Sequence, residues 1–284
     1  MIENEPYIRI ALFFGVFAVM ALWEWWAPRR QTSISRLLRW PNNLGIVVLN
    51  TLLARVVLPT TAVGLALHAE HAGWGLLNAY PQPAWLAIVA SVVLLDLAIY
   101  LQHVLFHAVP LLWRLHRMHH ADLHIDASTG LRFHTVEILL SFVLKFAVIA
   151  ALGAPTVGVL IFEVLLSSTS IFNHANVRML GSSDSYLRLF VVTPDMHRIH
   201  HSIHANETNS NFGFNLPWWD WIFGTYRQQP RDGHAEMVVG ITQFRNEHDL
   251  RLDQMLIQPL RGATPTYPLN ERTNQNAEEP TVRD

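Results

Sequence analysis

Three stretches of this chain, about residues 7–27, 44–67 and 84–106, are apolar over some twenty residues, and two shorter ones follow at about 136–152 and 155–172. A helix rises about 1.5 Å per residue, so roughly twenty apolar residues cross the hydrocarbon of a bilayer. The first three runs meet that length and read as transmembrane helices. The last two are joined by Gly153-Ala154-Pro155 and read as a tight helical hairpin, either just spanning or partly re-entrant. Composition agrees, with 51% hydrophobic and only 15% charged residues. The expected fold is all-α: an integral membrane protein with about four to five transmembrane or re-entrant helices.

Orientation follows from the connections. Trp23, Trp25 and Trp26 end the first run where an interfacial aromatic belt belongs, and Arg29, Arg30, Arg36 and Arg39 follow without an acid. The positive-inside rule makes that connection cytoplasmic. The loop before the third run carries Glu70 but no Lys or Arg, which suits the outer side. The N-terminus has neither the basic region nor the cleavage site of a secretory signal, so its apolar run is expected to be retained. Four runs each hold one charge, Arg55, Asp96, Lys145 and Glu163. An unpaired charge in lipid costs at least about 3 kcal/mol. Arg55 with Asp96, and Lys145 with Glu163, lie at matched depths and are expected to pair.

Sixteen histidines and no cysteine point to metal held by nitrogen and oxygen. The spelling His-x-x-His-His occurs at His116, His119 and His120, and again at His197, His200 and His201; His103 and His107 have the i, i+4 spacing. On a helix such positions share one face, so each triplet is expected to aim its rings at a common centre. The bland reading of any one motif is a solvated interfacial helix. One zinc needs four ligands, so eight histidines imply two metals, for which iron, copper and zinc all suit imidazole. The topology delivers all eight to one side of the membrane, as a cytoplasmic helical histidine-rich cap. His68 and His71 fall on the opposite face, His124 and His204 lie off the spacing, and His234 and His248 read as solvated. A net charge of −2 and the lack of a basic, aromatic-laced stretch exclude nucleic-acid binding. No glycine pattern for a flavin or nicotinamide appears.

With Trp113-Arg-Leu-His-Arg-Met-His-His120, Leu131-Arg-Phe-His-Thr-Val-Glu137, Phe172-Asn-His-Ala-Asn176 and Asn211-Phe-Gly-Phe-Asn-Leu-Pro-Trp-Trp-Asp220, the motifs resemble the fatty acid hydroxylase/sterol desaturase superfamily in its bacterial form. The resemblance covers about residues 84–226. It implies a di-iron, oxygen-dependent lipid hydroxylase or desaturase, with two iron ions, zinc being a possible substitute in purified protein, and with electrons from an external donor protein. In such an enzyme the reduced centre activates oxygen and takes hydrogen from an alkyl or sterol-type C–H bond. The resemblance also adds His134 and His174 to the metal set. Asp195, Asp220, Asn173 and Asn176 are candidates for holding imidazole N–H groups, with helix capping the alternative for the two acids. Phe106, Trp113, Trp218 and Trp219 are candidates to line a substrate groove.

The expected organisation is an N-terminal membrane part at 1–83, a catalytic domain at 84–230, and a polar segment at 231–284 whose end, from about residue 262, reads as disordered. For a bacterial chain the place is the inner membrane. A histidine-rich metal transporter or sensor without oxidase activity is the competing class; transporters keep their ligands near the midplane, whereas these histidines lie at or beyond helix ends. A haem-bearing electron-transfer subunit needs only paired axial histidines and leaves the triplets unexplained.

Overall fold

A computed structural model describes residues 4–262 and 267–269, apart from residues 33, 81 and 181. Among the described residues the protein is helical, with two isolated β-bridges, Pro28 to Val177 and Ser202 to Val239, and no strand. The helices are α1 (Glu5–Trp26), α2 (Arg36–Val57), α3 (Ala62–Ala72), α4 (Leu76–Ala79), α5 (Ala84–Ala108), α6 (Pro110–His120), α7 (Thr135–Leu152), α8 (Thr156–His174), α9 (Ser183–Leu187) and α10 (Pro194–His200), followed by shorter turns. Five stretches are long and apolar enough to cross a membrane: α1, Arg36–Ala79, α5, α7 and α8. The chain is therefore an integral membrane protein.

The second apolar run is not one helix. Pro59 disfavours a helical conformation in the residue before it, and Leu58 is extended at ψ 134°. The chain restarts at α3, where the Thr61 side chain accepts from the Gly64 amide at 3.0 Å. The hairpin turns as expected: Gly153 caps α7 at φ +63°, and a Cβ there would lie 2.0 Å from the Trp74 carbonyl oxygen. α8 is the central helix, packed on α1, α3 and α5. Leu95, Ile149, Val159 and Phe162 fill the core between α5, α7 and α8.

One of the two expected charge pairs forms. Lys145 Nζ lies 2.5 Å from Glu163 Oε1, and Arg9 Nη2 adds a second cation at 3.0 Å from Glu163 Oε2. The Arg55–Asp96 pair does not form. Asp96 instead accepts from the Asn215 and Leu216 amides and from Trp219 Nε1, at 3.3, 3.2 and 2.8 Å, while Arg55 is exposed on α2. A carboxylate satisfied by three N–H groups does not require an arginine.

The arginines between α1 and α2 are not all in a loop. Arg36 and Arg39 lie in α2, and Arg39 is fully buried. Its guanidinium forks onto Asp122 with two 2.7 Å bonds, reaches Asp126 at 2.5 Å, and also donates to the His124 carbonyl. Burial raises the Asp122 pKa, but Arg39, with Arg132 and Thr129, more than reverses this and holds it below the usual carboxylate range. This network fastens the start of α2 to the 121–132 segment, on which the first histidine triplet ends.

Past α10 the chain wraps back over α6. Arg114 Nε donates to Pro259 O at 2.6 Å, and the Gly240 amide donates to His201 O at 2.9 Å. The expected disordered tail lies mostly outside the described residues, but Tyr267 is buried and stacks on Trp113 with ring centroids 5.4 Å apart. His234 is buried rather than solvated, 3.9 Å from Asp195.

Candidate metal centre

Nine histidines meet at the end of the helix bundle from which α5 and α8 emerge. α5 carries His103 and His107 at its C-terminal end and α6 carries His116, His119 and His120 in its last turns. α8 ends on His174, and α10 with its cap residue supplies His197, His200 and His201. Thr193 starts α10 by accepting from the Met196 amide at 3.3 Å, and Pro194 follows in the first turn.

These rings form two groups. His103, His107, His116, His120 and His200 offer nitrogens within 4.8 Å of one another, and so do His119, His174, His197 and His201. Each triplet is therefore split between two centres, contrary to the expectation of one centre per triplet. On a helix, i and i+4 diverge by about 40° but i+3 and i+4 by about 100°. So His116 and His120 stay together while His119 turns to the second group; His197 and His201 stay together while His200 turns to the first. The groups abut: His120 stacks on His201 with centroids 4.5 Å apart.

Outward hydrogen bonds decide which nitrogen faces in. In the first group Nδ1 of His103 faces Phe212 O at 2.8 Å, that of His107 faces Asn209 Oδ1 at 3.1 Å, that of His116 faces Glu137 at 2.6 Å and that of His200 faces Ser210 O at 2.8 Å. In the second, Nδ1 of His119 faces Arg132 O at 3.2 Å and that of His174 faces Ser170 O at 2.7 Å. An acceptor fixes the proton on Nδ1 and leaves Nε2 as a bare lone pair.

The inward atoms are accordingly without protein donors. Nε2 of His107 and His200 and both ring nitrogens of His120 are buried with no partner. Nε2 of His174 lies 3.1 Å from those of His119 and His197, and 3.2 Å from that of His201. His119 and His174, and likewise His103 and His116, are held by outward acceptors on Nδ1 with their Nε2 atoms 3.1 Å apart, and lone pairs so facing repel unless a cation lies between them. Protonation is disfavoured at five of the rings: burial and then neighbouring imidazoles hold His119, His120, His197 and His201 well below the usual histidine range, and burial pushes His200 to about 3. Neutral imidazoles whose bare nitrogens converge fit metal ions, and each group could hold one.

The other predicted residues lie elsewhere. The structure does not bring His134 to either group: Nδ1 accepts from the Val136 amide at 3.2 Å, capping α7, and Nε2 faces Leu256 O at 3.2 Å. Asp195 faces Arg29, Arg198 and His234 rather than a metal-facing ring. Asn173 donates to Phe214 O, and Asn176 clamps the Arg30 backbone through its N–H and its carbonyl. Asp220 acts at one remove: it accepts from the Phe212 and Gly213 amides at 2.8 Å, and Phe212 O holds His103. Of the candidate groove aromatics, Phe106 and Trp113 abut histidines. Trp219 is buried on Asp96 and Trp218 donates to Leu189 O.

Glu137 and Asn209 hold rings of the first group and were not among the expected residues. Glu137 had a signal, as the acid in the first turn of an apolar helix; its Oε2 is buried without a partner. Gly130 is equally demanding, because a Cβ there would sit 2.2 Å from Ser170 O and 3.1 Å from His174 Nδ1.

Residues 88–225 match the family described as fatty acid hydroxylase. The chain is 32% identical over 160 residues to the ornithine lipid hydroxylase of Rhizobium tropici, a match covering 56% of this chain and 47% of that protein. It is 27% identical over 147 residues to the alkylglycerol monooxygenase of Homo sapiens, covering 52% and 31%, and 28% identical over 158 residues to that of Danio rerio, covering 56% and 32%. The chain thus spans less than half the length of these curated relatives. No solved structure matches it.

Proposed function

We propose that the chain, whose residues 88–225 match the fatty acid hydroxylase family, is a membrane-bound, oxygen-dependent lipid hydroxylase holding two irons. The observation that carries the reading is the pair of abutting, all-imidazole groups whose inward nitrogens meet one another or no partner at all. Residues 84–230 form the catalytic part on this reading, and 231–262 wrap it. Hydroxylation is favoured over desaturation because the relatives are named as a hydroxylase and monooxygenases.

The irons supply oxygen activation and C–H oxidation; the protein supplies their surroundings. His103, His107, His116, His120 and His200 hold one ion, and His119, His174, His197 and His201 the other. Glu137 and Asn209 keep His116 and His107 in the tautomer that ligates. Phe106, Trp113, Phe133, Phe212 and Phe214 pack around the rings and exclude water that would intercept the oxidant. Hydroxylation balances as lipid, oxygen, two electrons and two protons going to alcohol and water, and the reading assigns delivery of the electrons to an external donor protein. Arg29, Arg30 and Arg36 at the histidine end support a cytoplasmic location for the centre, in the inner membrane of a bacterium. The ligands lie at helix ends and not at mid-membrane, which disfavours the transporter or sensor reading.

The test is lipid analysis of cells with and without the gene, under oxygen. The expected result is a lipid heavier by one oxygen that appears only with the intact gene and disappears in the His200→Ala variant. Identical lipid profiles in an expressing strain that loads metal would support the transporter or sensor instead.

A further inference from the structure

A cavity of about 440 Å³ lies between α5 and the 206–227 segment. Its inner wall includes Asn209, Ser210 and Phe212, which are the acceptors holding the rings of His107, His200 and His103. One layer of residues therefore separates the cavity from the first metal group. That size is in the usual range for a small-molecule site, about 300–1,000 Å³.

Its mouth is built for an amphiphile. Leu101 and Val104 of α5 and Phe223 give it an apolar side. Beyond them the surface stays apolar: Ile222 is 66% and Phe223 52% exposed, Leu101 and Leu105 are 49% and 47% exposed on α5, and Phe190 is 66% exposed. Trp218 Nε1 donates to Leu189 O at 2.7 Å and ties the two parts of this ledge together. An apolar ledge continuous with the lipid-facing side of a spanning helix belongs at the membrane interface. The polar side holds Asn206, Tyr226 and Arg227, and no Asp or Glu lines the cavity among the described residues. Arg227 is ion-paired with the buried Glu207 at 3.7 Å, a contact too long to be a hydrogen bond.

We propose that this cavity seats the headgroup of the membrane lipid that the protein oxidises, with a headgroup oxyanion at Arg227 and the start of the chain against Leu101 and Val104. This rests on the hydroxylase reading for the lipid's being a substrate; the binding itself does not. Guanidinium suits a phosphate or carboxylate oxygen through directed N–H donors. A lipid entering from the ledge keeps its chain in apolar surroundings while its headgroup reaches the wall that positions three ligand rings.

The test uses the full chain, iron-loaded in detergent, and calorimetric titration with lysophosphatidylglycerol and with a monoacylglycerol of the same acyl chain. The wild type is expected to bind the phosphate-bearing lipid about ten-fold more tightly, and Arg227→Gln to reduce that preference to about two-fold, with iron content unchanged. Leu101→Trp, at an exposed position, should weaken both lipids. Equal affinities in the wild type, or an undiminished preference in Arg227→Gln, overturn the proposal. Competition by inorganic phosphate as strong as that by the lipid would identify a free-anion site and overturn it too. Affinity is read without turnover, so intact binding with no oxidised product would count against the hydroxylase reading and leave the headgroup site standing.

Discussion

At the scale of single residues, the chemistry is in which nitrogen each imidazole presents. The motif spacings identified the eight triplet and pair histidines, because His-x-x-His-His can be read from a helix's pitch. They did not show the split between two groups, which follows only when α6 and α10 pack with their i+3 rings turned opposite ways. Nor did they show the groups that hold the rings, since four of six are backbone carbonyls with no side-chain identity. His134 was implied by its family match, and the structure spends it on a helix cap. Glu137→Gln keeps the shape but weakens the hold on the His116 proton. It should lower affinity for metal in the first group by about 10- to 100-fold, read by competition with a chelator. Unchanged affinity would mean the 2.6 Å contact does not tune the ligand. Gly130→Ala should disturb the second group instead, since its Cβ has no room beside Ser170.

Among helices and segments, buried charge does what periodicity could not reveal. Hydropathy located the apolar runs well but not the break at Leu58, which Pro59 imposes locally. It ranked Arg39 with the loop arginines that set orientation, yet Arg39 is a buried clamp between α2 and the 121–132 segment. Replacing it with Met leaves Asp122 and Asp126 buried without their cation. That should cost about 3–5 kcal/mol and loosen His119 and His120, seen as an earlier melting of the purified protein together with metal loss. Retention of both would mean that the buried network does not hold the first triplet in place. Depth matching along the sequence found Lys145 with Glu163 but could not know that Asp96 would be met by the 215–219 backbone and Trp219. A double-mutant cycle of Lys145→Met and Glu163→Gln should show a coupling of about 1–3 kcal/mol, and additivity would deny the pair. The Arg9 contact at 3.0 Å will soften the single Lys145 change.

Across the whole molecule, the helices serve to bring four separate stretches of sequence to one end of a bundle. α5 arrives there with two histidines, α6 turns three more across it, and the α7–α8 hairpin leaves and returns to deliver His174 before α10 closes the site. Orientation arguments made without the histidines had already sent them to a common face, which is why the architecture was legible while its packing was not. What sequence could not supply is the C-terminal wrap, where Gln258, Pro259 and Tyr267 cover α6 through contacts far along the chain. The central claim is that this end of the bundle holds two metals in nitrogen ligation. It is tested most directly by metal analysis with X-ray absorption on protein purified from iron-replete cells. The account predicts two irons per chain, a first shell dominated by imidazole nitrogen, and no Soret band. One metal or none per chain in a folded, membrane-inserted protein, or a haem spectrum, would contradict it.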